Sequence, residues 1–297
     1  MASKQKIAAV SALLFGAMTW GLVWYPYRLL EQAGVSGALS TFVTYFIPLL
    51  AGAVLSRRQF AAAGDFRWLL LAIGLTAGWT NLAYVLAILH GEVMRVLLLF
   101  YLSPLWTVIF SRLLLGERLN FHGYLVMGMS FSGAVVMLWQ PDMGLPLPEN
   151  GAEWLALSAG LMFALSNVLS RRGREVPVNL KSLAIWGGCS VLSLLVLLWR
   201  PQETAVLAHL PATGWTMLLA IGALMLLVTL VVQYGLTHTP ANQAIVIFLF
   251  ELVVAAVSSW LLANESLTPR EWAGGALIVA ASLFSGKLEE KAGTGQS

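Results

Sequence analysis

Long apolar runs, bounded by charged residues, proline and glycine, recur along the whole chain. A run of about 20 apolar residues can cross a bilayer as an α-helix, because a helix rises about 1.5 Å per residue and the hydrocarbon core is about 30 Å thick. Windows of this kind predict ten membrane-spanning helices, at 7–25, 38–55, 68–89, 93–115, 121–139, 153–170, 182–199, 212–236, 241–263 and 271–286.

Composition agrees with this pattern and narrows the class of protein. The chain has 297 residues, of which 59% are hydrophobic and only 10% are charged, and its mean hydropathy is +0.80. No polar segment is long enough to form a separate soluble core. The fold class is therefore predicted to be an all-α polytopic membrane protein. The net charge of +3 gives no reason to expect a nucleic-acid partner.

The positions of Lys and Arg predict the orientation of the chain. If the N-terminus is cytoplasmic, only four of the 17 basic residues fall on the outer side, Arg28, Arg95, Arg200 and Arg270. The others fall on the inner side or at its helix ends: Lys4, Lys6, Arg57, Arg58, Arg67, Arg112, Arg118, Arg171, Arg172, Arg174, Lys181, Lys287 and Lys291. This asymmetry predicts cytoplasmic N- and C-termini, because cytoplasmic loops carry an excess of Lys and Arg.

The chain aligns with itself when it is shifted by 148 residues. The shift pairs His90 with His238, Phe100 with Phe248 and Glu117 with Glu265 without a gap. It predicts two halves of five spans each, 1–145 and 146–290, followed by a tail, 291–297. Because five is odd, the second half must enter the membrane from the opposite side. Inverted repeats of this kind enclose a central substrate site in many secondary transporters.

Glu251 is the most unusual residue of the spans, because it lies near the middle of 241–263, a run with no other charge. A charged residue at that depth costs roughly 2.5 to 3.5 kcal/mol on insertion. Ionisable groups inside membranes often mark transport pathways. Glu251 could face a cavity between the halves and there bind an amine or take up a proton. The alternative is a structural carboxylic acid hydrogen-bonded to a neighbouring helix.

Two segments resemble the repeats of a known transporter family. The first, 86–137, contains "FYLSP" and "GERL"; the second, 235–282, has Glu251 in the corresponding helix and "NESL" in place of "GERL". They look like the EamA-type repeats of the drug/metabolite transporter superfamily, and "FYLSP" is most similar to the branch that exports aromatic amino acids. The resemblance implies a secondary transporter of the bacterial inner membrane, which exports amino acids or similar amphiphilic metabolites by alternating access.

Several residues inside the spans are candidates to contact such a substrate. Pro104 leaves the carbonyl four residues before it without a hydrogen-bond donor, which allows a kink or a polar contact, although simple packing is the alternative. Tyr101 shares that face. Most aromatic side chains are expected at the membrane interfaces. Those predicted to lie deeper could stack on a flat substrate: Trp20, Trp79, Tyr84, Phe163 and Phe248.

Two amides within spans, Asn167 and Gln233, are further candidates. Such groups more often join helices by hydrogen bonds than bind substrate. Spans 121–139 and 271–286 are rich in Gly and Ala, which predicts close helix packing either within the chain or in a homodimer. The partners expected are therefore a small-molecule substrate and the lipid bilayer, with dimerisation left open.

Signals for enzyme chemistry and for cofactors are missing from the sequence. It has four His, one Cys and no metal-binding spacing, no P-loop for ATP, and no paired carboxylates or Ser-His-Asp set. We therefore expect no metal, no cofactor and no enzymatic activity. Two rival functions remain, a multidrug exporter of the same fold that carries flat cations and, less favoured, an integral-membrane enzyme or lipid-handling protein.

Overall fold

The computed structural model describes residues 2–57, 64–91, 93–139, 147–263 and 267–285. Within these ranges every regular element is helical, which confirms the all-α class. The α-helices are α1 (Ala2–Gln32), α2 (Gly37–Leu55), α3 (Arg67–His90), α4 (Val93–Phe100), α5 (Ser103–Phe110), α6 (Phe121–Leu138), α7 (Gly151–Arg172), α8 (Val178–Trp199), α9 (Ala212–His238), α10 (Ala241–Phe248), α11 (Phe250–Ala263) and α12 (Pro269–Ser285). The described residues do not include Arg58, Glu265, Lys287, Lys291, the predicted boundary at 145/146 or the tail 291–297.

Nine helical segments of the described chain are long and apolar enough to cross a membrane. They correspond to the first nine predicted spans, with α4 and α5 together forming the fourth and α10 and α11 forming the ninth. The tenth span corresponds to α12, which has 17 described residues. The count of ten crossings therefore stays a prediction.

The first span is longer than predicted, since α1 continues through Pro26 to Gln32. We expected the span to end before this proline, which cannot donate a backbone hydrogen bond and disfavours a helical conformation in the residue before it. The last turn is nevertheless held by regular bonds, including one from the amide of Ala33 to the carbonyl of Leu29 at 3.1 Å. The helix therefore accommodates Pro26 and passes the expected limit.

The fourth and ninth spans are each interrupted at the same relative place. The fourth is broken at Tyr101 and Leu102, and the ninth at Leu249, which is 148 residues after Tyr101. Only the first break is followed by a proline, Pro104, so the second does not depend on one. The fourth span also ends in a π-helical turn, Ser111–Leu115, followed by Gly116 with a φ of +70°. This conformation favours glycine and closes the span.

Many helices of each predicted half pack against helices of the other half. In the first half α1 packs against α9 and α11, and in the second half α7 packs against α3 and against α4 and α5. The other large contacts between the halves are α2 with α8, α3 with α8, α2 with α9 and α6 with α12. This set of contacts is unchanged when each span is replaced by the one five places later. This is the arrangement that a two-fold relation between the halves produces, and it supports the predicted repeat.

Glycines let two of these helix pairs meet backbone to backbone. A methyl group added at Gly188 on α8 would lie 1.9 Å from the carbonyl oxygen of Gly74 on α3. One added at Gly133 on α6 would lie 2.7 Å from the carbonyl oxygen of Gly274 on α12. The small residues of the fifth and tenth predicted spans are therefore used for packing within the chain at this contact. Close approach of this kind stabilises helix pairs in lipid.

We expect Gly188→Ala to lower the free energy of unfolding by about 1 to 3 kcal/mol, because the added methyl group forces α3 and α8 apart. Thermal unfolding of the detergent-solubilised protein, followed by tryptophan fluorescence, measures this loss. Gly128→Ala on α6 is the matched control, because no atom lies within 4 Å of its added methyl group. Equal unfolding temperatures for the two variants would contradict the proposed backbone contact.

Candidate functional site

Glu251 lies in the first turn of α11, and its carboxylate lies beside the hydroxyl of Tyr101. Tyr101 occupies the break between α4 and α5 and is only 6% exposed. The two side chains therefore bring together the interrupted span of one predicted half and that of the other. Gly21 of α1 approaches the backbone carbonyl of Glu251 so closely that an added methyl group would lie 2.8 Å from it. The backbone at Glu251 is thus packed against α1.

Aromatic rings from both halves form a continuous cluster beside this pair. Phe163 on α7 contacts Phe100 and Phe248, with ring centroids 5.4 and 5.8 Å apart. Tyr84 packs on Phe100 at 5.0 Å, and Trp20 meets the edge of Phe248 at 5.8 Å. We call these five rings, with Tyr101, the ring cluster. Phe100 and Phe248, which the 148-residue shift pairs, are the last residues of α4 and α10, directly before the two breaks.

The rings of the cluster cover one another. Phe248 is 2% exposed and Phe100 is 9% exposed. A flat substrate placed here would therefore have to separate rings that are in contact. The central cavity that the repeat implies stays a prediction.

Two of the remaining candidates have different surroundings. Pro104 is buried in the first turn of α5, directly after the break. Trp79 is not part of the ring cluster, because its side chain is 40% exposed and its indole N–H donates to the hydroxyl of Ser158 at 3.1 Å. Its position along the third span predicted that Trp79 lies deep in the membrane, but its side chain does not reach the ring cluster.

The two amides are buried, and each has one polar atom without a partner among the described residues. Asn167 is 8% exposed with an unpaired Nδ2, and Gln233 is 3% exposed with an unpaired Oε1. The helix-joining hydrogen bonds that such amides usually form are therefore incomplete at these atoms. An unpaired buried donor and an unpaired buried acceptor are available to a polar ligand.

On one face of the membrane region the two halves are joined by a buried ion pair. The guanidinium of Arg95, at the start of α4, donates to both carboxylate oxygens of Glu153 on α7, at 2.8 and 2.9 Å. The two residues are 9% and 2% exposed. Asn150 and the amide of Glu149 also donate to Glu153. Arg95 is one of the four basic residues predicted on the outer side, and its partner is a carboxylate of the chain itself.

A second polar network joins the halves on the face where α1 begins, which we call the N-terminal face. Glu117, in the loop after the fourth span, accepts a hydrogen bond from the amide of Ala241 at 3.0 Å and pairs with Arg171 at 3.5 Å. Arg171 also donates to the carbonyl of Thr237. The amide of Asn242 donates to Ser111 at 2.9 Å. Each face of the protein thus carries its own polar contact between the halves.

Lys181 is part of this second network and was missed as a buried residue by the sequence analysis, which placed it on the inner side, directly before the span 182–199. It lies in the first turn of α8 with no exposed surface. Its ammonium group donates to the carbonyl of Ser170 at 3.1 Å and to the hydroxyl of Thr237. The hydrophobic pattern gives no signal for such a residue, since a lysine next to a loop normally reaches water.

Comparison with known proteins identifies the family. The sequence model of the EamA-like transporter family matches the chain twice, at residues 7–139 and 150–286. The pseudopaline exporter CntI of Pseudomonas aeruginosa is 26% identical over 250 residues, which cover 83% of this chain and 82% of the exporter. A riboflavin transporter of Rhizobium johnstonii is 29% identical over 227 residues, which cover 73% of this chain and 68% of that protein.

The fold has been seen before in a crystal structure that superposes with a TM-score of 0.73, covers 95% of this chain and 98% of its own, and is 19% identical. Neither of the relatives above is named as an enzyme, and neither is named for amino acids. The finer resemblance to exporters of aromatic amino acids therefore stays a prediction. The chain is a multi-pass membrane protein that belongs to the EamA-like transporter family.

Proposed function

We propose that this protein exports small amphiphilic metabolites, amino acids with aromatic or other apolar side chains first among them, by alternating access. The two inverted five-helix halves, 1–145 and 146–290, rock around a substrate site formed by Glu251 and the ring cluster. The membrane is the bacterial inner membrane, with both termini in the cytoplasm, as the distribution of Lys and Arg predicts.

The observation that carries this proposal is the proximity of the Glu251 carboxylate to Tyr101 and the ring cluster. A carboxylate at the junction of two broken spans can bind an ammonium group, and the adjacent rings can receive an apolar side chain. Asn167 and Gln233 supply an unpaired donor and an unpaired acceptor for further polar groups of the ligand. The same carboxylate can exchange a proton for the substrate.

Alternating access requires the halves to separate on one face while they stay closed on the other. The Arg95–Glu153 pair and the Glu117–Arg171–Ala241 network suit this role, because each joins the two halves at one face only. We propose that the two contacts break in turn. Substrate binding at the centre would then shift the balance between them by its different affinity for the two conformations.

The relatives support an amphiphilic substrate in general, since their names refer to pseudopaline and to riboflavin. Our choice of amino acids within that class rests on the ring cluster and on the resemblance of the "FYLSP" segment.

We expect Glu251→Gln to reduce efflux of radiolabelled phenylalanine from proteoliposomes by about tenfold or more, because the neutral amide loses the charge that holds the ammonium group. Glu31→Gln is the control, as Glu31 is an exposed carboxylate at the end of α1. Repeating the assay with a pH gradient separates proton-coupled transport, which the gradient accelerates, from facilitated diffusion. Unchanged flux in the Glu251→Gln protein would refute the role given to this acid.

Replacement of Arg95 by Met should destabilise the protein by about 3 to 5 kcal/mol, because it leaves Glu153 buried without its counter-charge. The double variant Arg95→Met/Glu153→Gln should recover most of this loss, since it removes the stranded charge. Arg200→Met, which removes an arginine that is half exposed beside Glu203, should cost about 1 kcal/mol or less. Chemical unfolding in detergent measures all three; a double variant no better than Arg95→Met would refute the ion-pair account.

An exporter of flat cations is the rival that the site also favours, because a carboxylate among aromatic rings can hold an organic cation. Competition in the flux assay separates the two functions. We expect a cationic dye such as ethidium, at concentrations up to that of phenylalanine, to leave phenylalanine efflux unchanged. Efflux of the dye by the protein, with no flux of phenylalanine, would favour the multidrug function.

A further inference from the structure

A cavity of about 210 Å³ opens on the N-terminal face, away from the ring cluster. It lies between the end of the fourth span, the loop that follows it, the start of α6 and the first turn of α10. Its wall therefore combines residues of both predicted halves.

One part of the wall is cationic. Arg112, on the π-helical turn, and Arg118, in the following loop, both line the cavity and are exposed. Neither forms an ion pair with any residue that the structure describes. Two guanidinium groups beside one small cavity favour an anionic group, and a carboxylate matches the donor fork of arginine.

A second part of the wall accepts hydrogen bonds. Asn242 lines the cavity and is only 6% exposed, and its Oδ1 receives no hydrogen bond from the described residues, although its Nδ2 is engaged by Ser111. An unpaired buried acceptor is costly unless a ligand or water supplies a donor. The carboxylate of Glu117 also lines the cavity; it already binds Arg171 and the amide of Ala241, but a carboxylate has about four acceptor positions. An ammonium group fits these two acceptors.

The rest of the wall is apolar or aromatic, formed by Val108, Leu119 and Tyr124. The cavity thus offers a cationic side, a side that accepts hydrogen bonds and an apolar side. Its volume lies below the range of about 300 to 1,000 Å³ that is usual for drug-sized ligands. The ligand must therefore be small.

We propose that this cavity binds small zwitterionic metabolites, with their carboxylate on Arg112 and Arg118 and their ammonium group on Asn242 and Glu117. The inference rests on the proposed export function, for which it defines a first binding site on the cytoplasmic side. Asn242 and Phe248 belong to the same helix, six residues and about 9 Å apart along its axis.

Calorimetric titration of the full-length protein in phosphatidylcholine nanodiscs tests the two polar contacts separately. The probes are phenylalanine, phenylalaninamide, which lacks the carboxylate, and 3-phenylpropionate, which lacks the ammonium group. Arg118→Gln should weaken phenylalanine and 3-phenylpropionate by about tenfold and leave phenylalaninamide unchanged. Asn242→Leu should weaken phenylalanine and phenylalaninamide and leave 3-phenylpropionate unchanged.

Arg174→Gln is the control, because Arg174 is an exposed arginine of the same face that does not line the cavity. The proposal would be overturned if Arg118→Gln and Arg174→Gln changed the affinity for phenylalanine equally. It would also be overturned if a variant weakened all three probes to the same extent. If Arg118→Gln alters binding only to nanodiscs with anionic lipid, the arginines serve lipid headgroups and the site is refuted.

The same variants distinguish this inference from the proposed function. If phenylalanine is transported and Glu251→Gln abolishes the flux, but Arg118→Gln and Asn242→Leu bind and transport as the wild type does, only the site on the N-terminal face is wrong. If the three probes bind as predicted and no flux is observed, the export function is wrong while the binding site stands.

Discussion

The structure depends on one constraint: a charged group within the membrane must find a partner inside the protein, because lipid offers none. Three pairs of side chains meet this need across the two halves: Glu251 lies beside Tyr101, Arg95 is paired with Glu153, and Arg171 with Glu117. Residues that lipid tolerates poorly therefore help to join the two halves.

These pairs lie at different depths of the membrane region. One lies at the centre beside the ring cluster, and the other two lie at opposite ends of α7, which carries both Glu153 and Arg171. The helix pairs α3 with α8 and α6 with α12 also join the halves, but they do so by close backbone contact. The contacts between the halves are therefore of two kinds, tight backbone packing and polar pairs. A movement of the halves against each other must be accommodated at both.

The repeat explains why functional features occur in pairs. His90 and His238 each contact the carbonyl four residues earlier at 2.8 Å, and the breaks at Tyr101 and Leu249 fall 148 residues apart. The chemistry at the two breaks nevertheless differs, since a phenol stands at one and an acid follows the other. The two halves share the position of the break, and their side chains differ there.

The sequence alone determined the helical class, the first nine spans and the special position of Glu251, because crossing lipid demands long apolar runs and a lone charge in such a run is conspicuous. Only the tertiary structure decided which candidates meet. It brought Trp20, Tyr84, Phe163 and Phe248 together, left Trp79 outside, and buried Lys181 and the Arg95–Glu153 pair. Hydrophobicity fixes how deep a residue lies in the membrane, but the side of the helix on which it finds a partner depends on how distant segments pack.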